Sequence, residues 1–177
     1  LFETALITWD LYLKEVQKTE GEECLHYFMG VVYKSGVLID AERYSEAEEL
    51  LLSVKIPSEG NLELHLTFFK NLGKCAYHLN KYEDSIAMYI EAFNTLSENK
   101  KYYSEINDET YHWCWRDELC HIALELSNVY VALNLYEDAD DAFIITLNSL
   151  DEEWNNCVLL NRHVLYSVFF HQYANLN

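Results

Sequence analysis

Apolar residues recur at spacings of three and four along almost the whole chain, and little interrupts them: one proline and five glycines in 177 residues. That spacing is the signature of amphipathic helices. So few breakers favour long helices over an all-β fold, which needs many turns. The pattern predicts a first helix from Leu1 to about Lys18, with Leu6, Trp9, Leu13 and Val16 on one face, ended by "KTEGEE". A second starts near Glu23, carries Phe28, Val31, Val32, Ser35 and Leu38, and runs out near "DAERY". A third covers 45–55, with Leu50, Leu51 and Val54 inward. "KIPSEGN" is the clearest loop, since Pro57 and Gly60 both oppose helix. Beyond it, 62–79 and 82–96 form two helices joined at "NKY". After the polar stretch "SENKKYYSEIND", Asn107 or Asp108 caps a long helix that ends at "NLY". "EDADDAFIITLNSL" and an apolar helix at 154–176 complete an all-α chain.

The joints between these helices repeat. "NKYED" at 80–84 returns as "NLYED" at 134–138, each followed by a small residue and then an aromatic: Ser85 and Tyr89, Ala139 and Phe143. Upstream stand Phe69, Leu72-Gly73 and Ala76 in one case, and Ala123, Leu126-Ser127 and Tyr130 in the other. "ERYSEAEELLLSV" supplies a weaker third copy through Tyr44, Ala47 and Leu51, with Lys34-Ser35 in place of Leu-Gly. Each offset has a steric reading. Gly73, Ser127 and Ser35 fall where two helices of a pair cross and no large side chain fits. Ala47, Ser85 and Ala139 fill the facing small position, the aromatic four residues on reaches into the next pair, and Tyr44, Tyr82 and Tyr136 cover the turn. The acids after each tyrosine open a helix, where the dipole favours negative charge.

In these residues the chain resembles the tetratricopeptide repeat superfamily, whose unit of roughly 34 residues spaces a bulky residue, Leu-Gly, Tyr, Ala and an aromatic. The resemblance covers about 28–153 and implies a helix-turn-helix repeat solenoid, wound as a right-handed superhelix. Expected full repeats lie at about 28–61, 66–99 and 120–153, with half-repeats or capping helices at 1–20 and 154–177, in one domain over 1–177. The joint tyrosines are 38 and 54 residues apart, so an insertion over 100–119 precedes the last repeat. A chain opening on "LFETAL" and closing on "HQYANLN" is expected to be a segment of something longer.

Charge narrows the partners. The net charge is −18, and from Tyr102 onward thirteen acids face only Arg116 and Arg162. Such a surface repels phosphate backbones and anionic lipid heads, so neither nucleic acid nor membrane is an expected partner. Five scattered cysteines, with no secretory signal and no long apolar run, point to a reducing, intracellular setting, cytoplasmic with the nucleus as the alternative, and to thiols acting as small apolar residues.

Chemistry is sparse. "YHWCWRDELCH" at 111–121 is dense in His and Cys, but zinc needs four converging ligands. Cys114 and Cys120 are turned through about 600° along one helix, which leaves them about 120° apart on its circumference and so on different faces. No metal site is expected there; the segment either packs over the irregular joint or offers an aromatic patch. Cys75 and His78 are close enough on a helix to touch, yet no orienting group or oxyanion donor accompanies them. Neither a Gly-rich phosphate loop, a serine elbow nor HExxH occurs. No catalytic residue and no cofactor is expected.

The resemblance instead implies a binding face, because the first helix of each pair in this superfamily lines a concave groove. In the central repeat that face carries Thr67, Lys70, Lys74 and Tyr77, with Asn71 beside them. In the last repeat it carries His121, Leu124, Asn128 and Val131, with Glu125 adjacent. Lys70 and Lys74, one turn apart, would hold a carboxylate of a bound peptide, and Asn71 and Asn128 would pair with its backbone amides. The carboxylate-clamp repeats that grip chaperone C-termini fit poorly: Lys74 stands for an asparagine, His121 and Glu125 for two basic residues, and Glu125 would repel a carboxylate. The expected function is a non-catalytic protein- or peptide-binding scaffold. Two alternatives stand beside it: the sensor domain of a regulator responsive to peptide pheromones, and a segment of a large assembly docking through its acidic C-terminal half. Self-association through 154–176 is a further expectation.

Overall fold

Tight helix reversals organise what the computed structural model describes, residues 2–57, 62–98 and 109–142. The helices are α1 (Phe2–Thr19), α2 (Leu25–Asp40), α3 (Tyr44–Leu52), α4 (Leu62–His78), α5 (Tyr82–Glu98) and α6 (Glu109–Ala132). A further helical stretch covers 136–142. All regular structure among the described residues is helical. The predicted apolar helix at 154–176, the side chains of 109–117 and Phe143 lie outside the described residues. The chain divides into two compact units, Leu1–Glu105 and Ile106–Asn177.

In the first unit each helix packs on its sequence neighbour, α1 on α2, α2 on α3, α3 on α4 and α4 on α5, while α2 also touches α4. One core cluster joins Leu13, Phe28, Val31, Val32, Leu51, Leu64, Phe68 and Leu72, drawn from α1 through α4. Another gathers Leu6, Leu38, Ile39, Ala47 and Cys75. The helix faces read from the sequence are therefore largely the buried ones, although Trp9, Leu50 and Val54 are only half-buried; Trp9 stacks on Tyr33 at 5.7 Å.

The three joints share one hydrogen-bond scheme. At the second, Asn80 sits at φ 60°, its N–H donates to Tyr77 O (3.0 Å), and Lys81 N–H donates to Ala76 O (2.8 Å). This is the Schellman closure, which satisfies the last carbonyls of a helix with a left-handed residue just beyond its end. Glu42 (φ 58°) and Asn134 (φ 61°) repeat it, with Arg43 N–H on Leu38 O (2.8 Å) and Leu135 N–H on Tyr130 O (2.9 Å). The tyrosine two residues on then bonds back: Tyr82 Oη donates to Asn80 Oδ1 (2.9 Å) and Tyr136 Oη to Asn134 Oδ1 (3.0 Å).

The small positions behave alike around all three joints. Ser35, Gly73 and Ser127, seven residues before the left-handed residue, are buried, as are Ala47, Ser85 and Ala139, five after it. Between α4 and α5 the contact is close enough for Ser85 Oγ to donate to the Gly73 carbonyl (2.7 Å). A Cβ added to Gly73 would stand 2.9–3.0 Å from three ring atoms of Tyr89. Here the steric reading needs correction: the Tyr89 ring lies on Gly73 of its own hairpin. The second unit, taken by itself, buries Leu119, Ile122, Ala123 and Val129 of α6 with Ala139 and Ala142.

Candidate binding surfaces

Thr67, Lys70, Asn71, Lys74 and Tyr77 fall within an arc of about 120° on α4 at roughly 100° per residue, and all five are half-buried. They do not play equal parts. Asn71 spends both amide protons on α2, donating to Ser35 Oγ (3.0 Å) and Val32 O (3.3 Å). Ser35 Oγ in turn donates to Val32 O (2.7 Å). The amide thus ties α4 to α2 across the hydroxyl that replaces the Leu-Gly glycine, and those donors are not on offer to a peptide. Tyr77 belongs to the joint: its ring contacts Tyr82 at 5.9 Å and His78 at 5.3 Å. Lys74 has no ion-pair or hydrogen-bond partner among the described residues.

Thr67 sits on the wall of a groove of about 270 Å³ between α2 and α4, lined also by Leu25, His26, Met29, Tyr33, Glu63 and Leu64. Two of its apolar groups reach well into water, Leu25 at 40% exposure and Tyr33 at 50%. Sequence reasoning put the helix at about 28–41 on the expected concave face but named no residue of the α2 wall. Its signal was the stripe 25, 29, 33, one turn apart and apolar, which is surplus to a helix already burying Phe28, Val31, Val32 and Leu38.

On α6, His121, Glu125 and Asn128 also share one narrow stripe, with His121 exposed and the other two half-buried. They belong to the second unit and form a surface of their own there.

The thiols divide. Cys75 is fully buried; burial, and then the negative charge of Glu48, push its pKa up to about 12. A nucleophilic thiolate is absent at neutral pH. Nearby His78 stacks flat on Tyr44, centroids 4.0 Å apart. Cys24 is not the buried filler expected of it. Half-exposed, it caps α2, its Sγ accepting the Tyr27 N–H at 3.3 Å, the position usually held by Ser, Thr, Asp or Asn. His65 is a further group without a sequence signal. Its Nε2 is buried with no hydrogen-bond partner among the described residues, its ring meets Phe28 edge-on at 5.8 Å, and desolvation lowers its pKa against an opposing bond to the Pro57 backbone.

His112, Cys114 and Cys120 of the "YHWCWRDELCH" segment lie outside the described side chains; the backbone places them within α6. No described helix is long and apolar enough to cross a membrane. No protein-family model matches the chain, and no curated protein matches it significantly.

Proposed function

We propose that this chain is a non-catalytic, intracellular protein-binding module of the tetratricopeptide kind, its hairpins stacked as a right-handed solenoid, and that it grips a peptide segment along α2 and α4. The observation that carries this reading is the groove between those helices, with Met29, Tyr33, Leu25 and Leu64 as apolar walls. Ligand sites take that form, mostly apolar with a few placed polar groups. An apolar side chain of the peptide enters between Met29 and Leu64, and Thr67 and the ammonium of Lys74 address its polar and acidic groups. The Asn71–Ser35 tie holds the two walls together before the ligand arrives, which lowers the ordering cost of binding. The backbone scheme common to the three joints supports the repeat assignment, because shared backbone geometry at one sequence register is what a repeated unit produces. With both Asn71 donors turned to α2, the pheromone-sensor alternative finds no support in the first unit.

Peptides selected from a random display library against the chain would be labelled and titrated by fluorescence anisotropy. Met29→Glu is expected to weaken them at least about tenfold, the effect of an unpaired charge in an apolar contact. Lys70→Glu/Lys74→Glu is expected to weaken those that carry acidic residues. Equal affinity for the wild-type chain and Met29→Glu sinks the proposal, as does a library that yields no binder.

A further inference from the structure

A second groove runs along the opposite side of α2. Lys34 and Leu38, which line it, are turned roughly 140° around the helix from Met29 and Tyr33. It lies between α1 and α3, has a volume of about 460 Å³, and is floored by Leu6, Leu38 and Leu50. Ile7 stands on its α1 wall and is 59% exposed, an apolar side chain with no place in either core cluster.

The rims are acidic on both sides, Glu3 and Asp10 on α1 and Glu46 and Glu49 on α3, against two bases, Lys34 and Arg43. Those bases act as braces. Lys34 Nζ bonds Asp10 Oδ1 at 2.6 Å, reaching from floor to one wall. Arg43, at the α2–α3 joint, donates through Nε and Nη2 to the two carboxylate oxygens of Glu46, each at 2.6 Å, and through Nη1 to Glu3 at 3.2 Å. These pairs link α2 and its joint to both walls and leave the carboxylates in excess, four to two.

We propose that this groove docks a lysine- and arginine-rich amphipathic helix from another protein. Its apolar stripe would lie on Ile7, Leu38 and Leu50 as helix-in-groove ligands do. Its flanking cations would meet the carboxylates of both rims. Charge decides against a second copy: the chain carries 30 acids to 12 Lys and Arg, so two copies meeting on an acidic groove repel. The surface faces away from the α2–α4 groove, so each can fail without the other.

A fluorescein-labelled amphipathic peptide with a leucine stripe and Lys/Arg flanks tests this, beside a twin with the same stripe and Glu flanks. The basic peptide is expected to bind at least about tenfold more tightly, with the gap narrowing at high salt. Glu49→Lys is expected to weaken it about tenfold, whereas Glu15→Lys, an equal charge change on α1 outside the groove, has a much smaller effect. Ile7→Asp adds negative charge: diffuse attraction to an acidic protein would strengthen with it, whereas groove docking weakens. All three positions are exposed, and circular dichroism verifies that the variants fold. Tighter binding to Ile7→Asp, equal effects of Glu49→Lys and Glu15→Lys, or loss of binding in Met29→Glu instead would overturn the proposal. So would a concentration-dependent dimer, seen by sedimentation and abolished by Ile7→Asp.

Discussion

Gly73→Ala sets a methyl group against the face of Tyr89. The new Cβ would lie 2.9 Å from Cζ and 3.0 Å from each of Cε1 and Cε2, where carbon atoms rest at about 3.5–4.0 Å. The ring has to retreat by roughly 0.5–1 Å, yet Tyr89 is only 1% exposed and its helix is bound to α4 through the Ser85–Gly73 bond. Overpacking of this kind costs roughly 1–3 kcal/mol, offset by about 1 kcal/mol because alanine suits a helix better than glycine. The single substitution is therefore expected to cost about 0–2 kcal/mol, too wide a range to be decisive alone. The interaction is decisive. Tyr89→Leu removes the three ring atoms, so Gly73→Ala in that background should stabilise by its helix propensity. The double-mutant cycle then shows a favourable coupling of about 1–3 kcal/mol. Tyr89→Phe keeps the ring and should keep the full cost. Urea unfolding followed by far-ultraviolet circular dichroism measures each corner. Additivity within about 0.5 kcal/mol, or relief by Tyr89→Phe, would falsify the account of this crossing.

Other expectations follow from single residues. Glu42 holds a left-handed conformation that suits glycine or asparagine, so Glu42→Gly should raise stability by about 0.5–1 kcal/mol; Asn80→Gly, which also gives up the Tyr82 bond, should gain nothing, and a destabilised Glu42→Gly would show that the joint is misread. His65 has its pKa lowered in the folded state by desolvation, so the unfolded chain binds its proton first as pH falls. Its contribution is complete above the ordinary value near 6.5 and is lost as pH drops below that toward the folded value, with a slope of at most about 1.4 kcal/mol per pH unit, reduced because the ring is only half-buried. His65→Gln should flatten the pH dependence of the urea midpoint below pH 6.5; an unchanged profile would put the ring in water. Among the described thiols, Cys24 should react with a maleimide in the native state while Cys75 waits for unfolding, which mass spectrometry of the labelled peptides would read; rapid native labelling of Cys75 would contradict its burial.

Local chemistry makes the joints legible from residue identity alone. An asparagine tolerates the left-handed slot because its short polar side chain bonds nearby, and the tyrosine two residues on marks the next helix start. Ser35, Gly73, Ser85 and Ala139 announce close crossings because small residues at fixed offsets have few other uses in a helix. Glu42 fills the same slot as Asn80 without any local sign. Gly30 is legible only in part: a helical glycine lowers stability unless something needs the space, and here Leu13 Cδ2 and Tyr12 Cε1 would stand 2.8 and 2.9 Å from an added Cβ. Cys24 as a cap is unreadable, since thiols seldom serve there.

The candidate surfaces divide along the same line. The stripe of Thr67, Lys70, Asn71, Lys74 and Tyr77 is a matter of helical period, which residue spacing alone determines. Whether its members face a ligand or a neighbour is not, because that depends on which helix lies alongside. Asn71 reaches Ser35, 36 residues earlier, Lys34 reaches Asp10 across 24 residues, and Arg43 reaches Glu3 across 40. Such partners are chosen by the packing of whole helices, to which no single side chain contributes more than a small share. The sequence by itself therefore determined the described helices, most of their buried faces and the repeated joints, which helical period and contacts within a few residues set. The tertiary structure alone decided that Asn71 braces α2 against α4 and that a groove opens on each side of α2, because both arise from spacing between helices far apart in the chain.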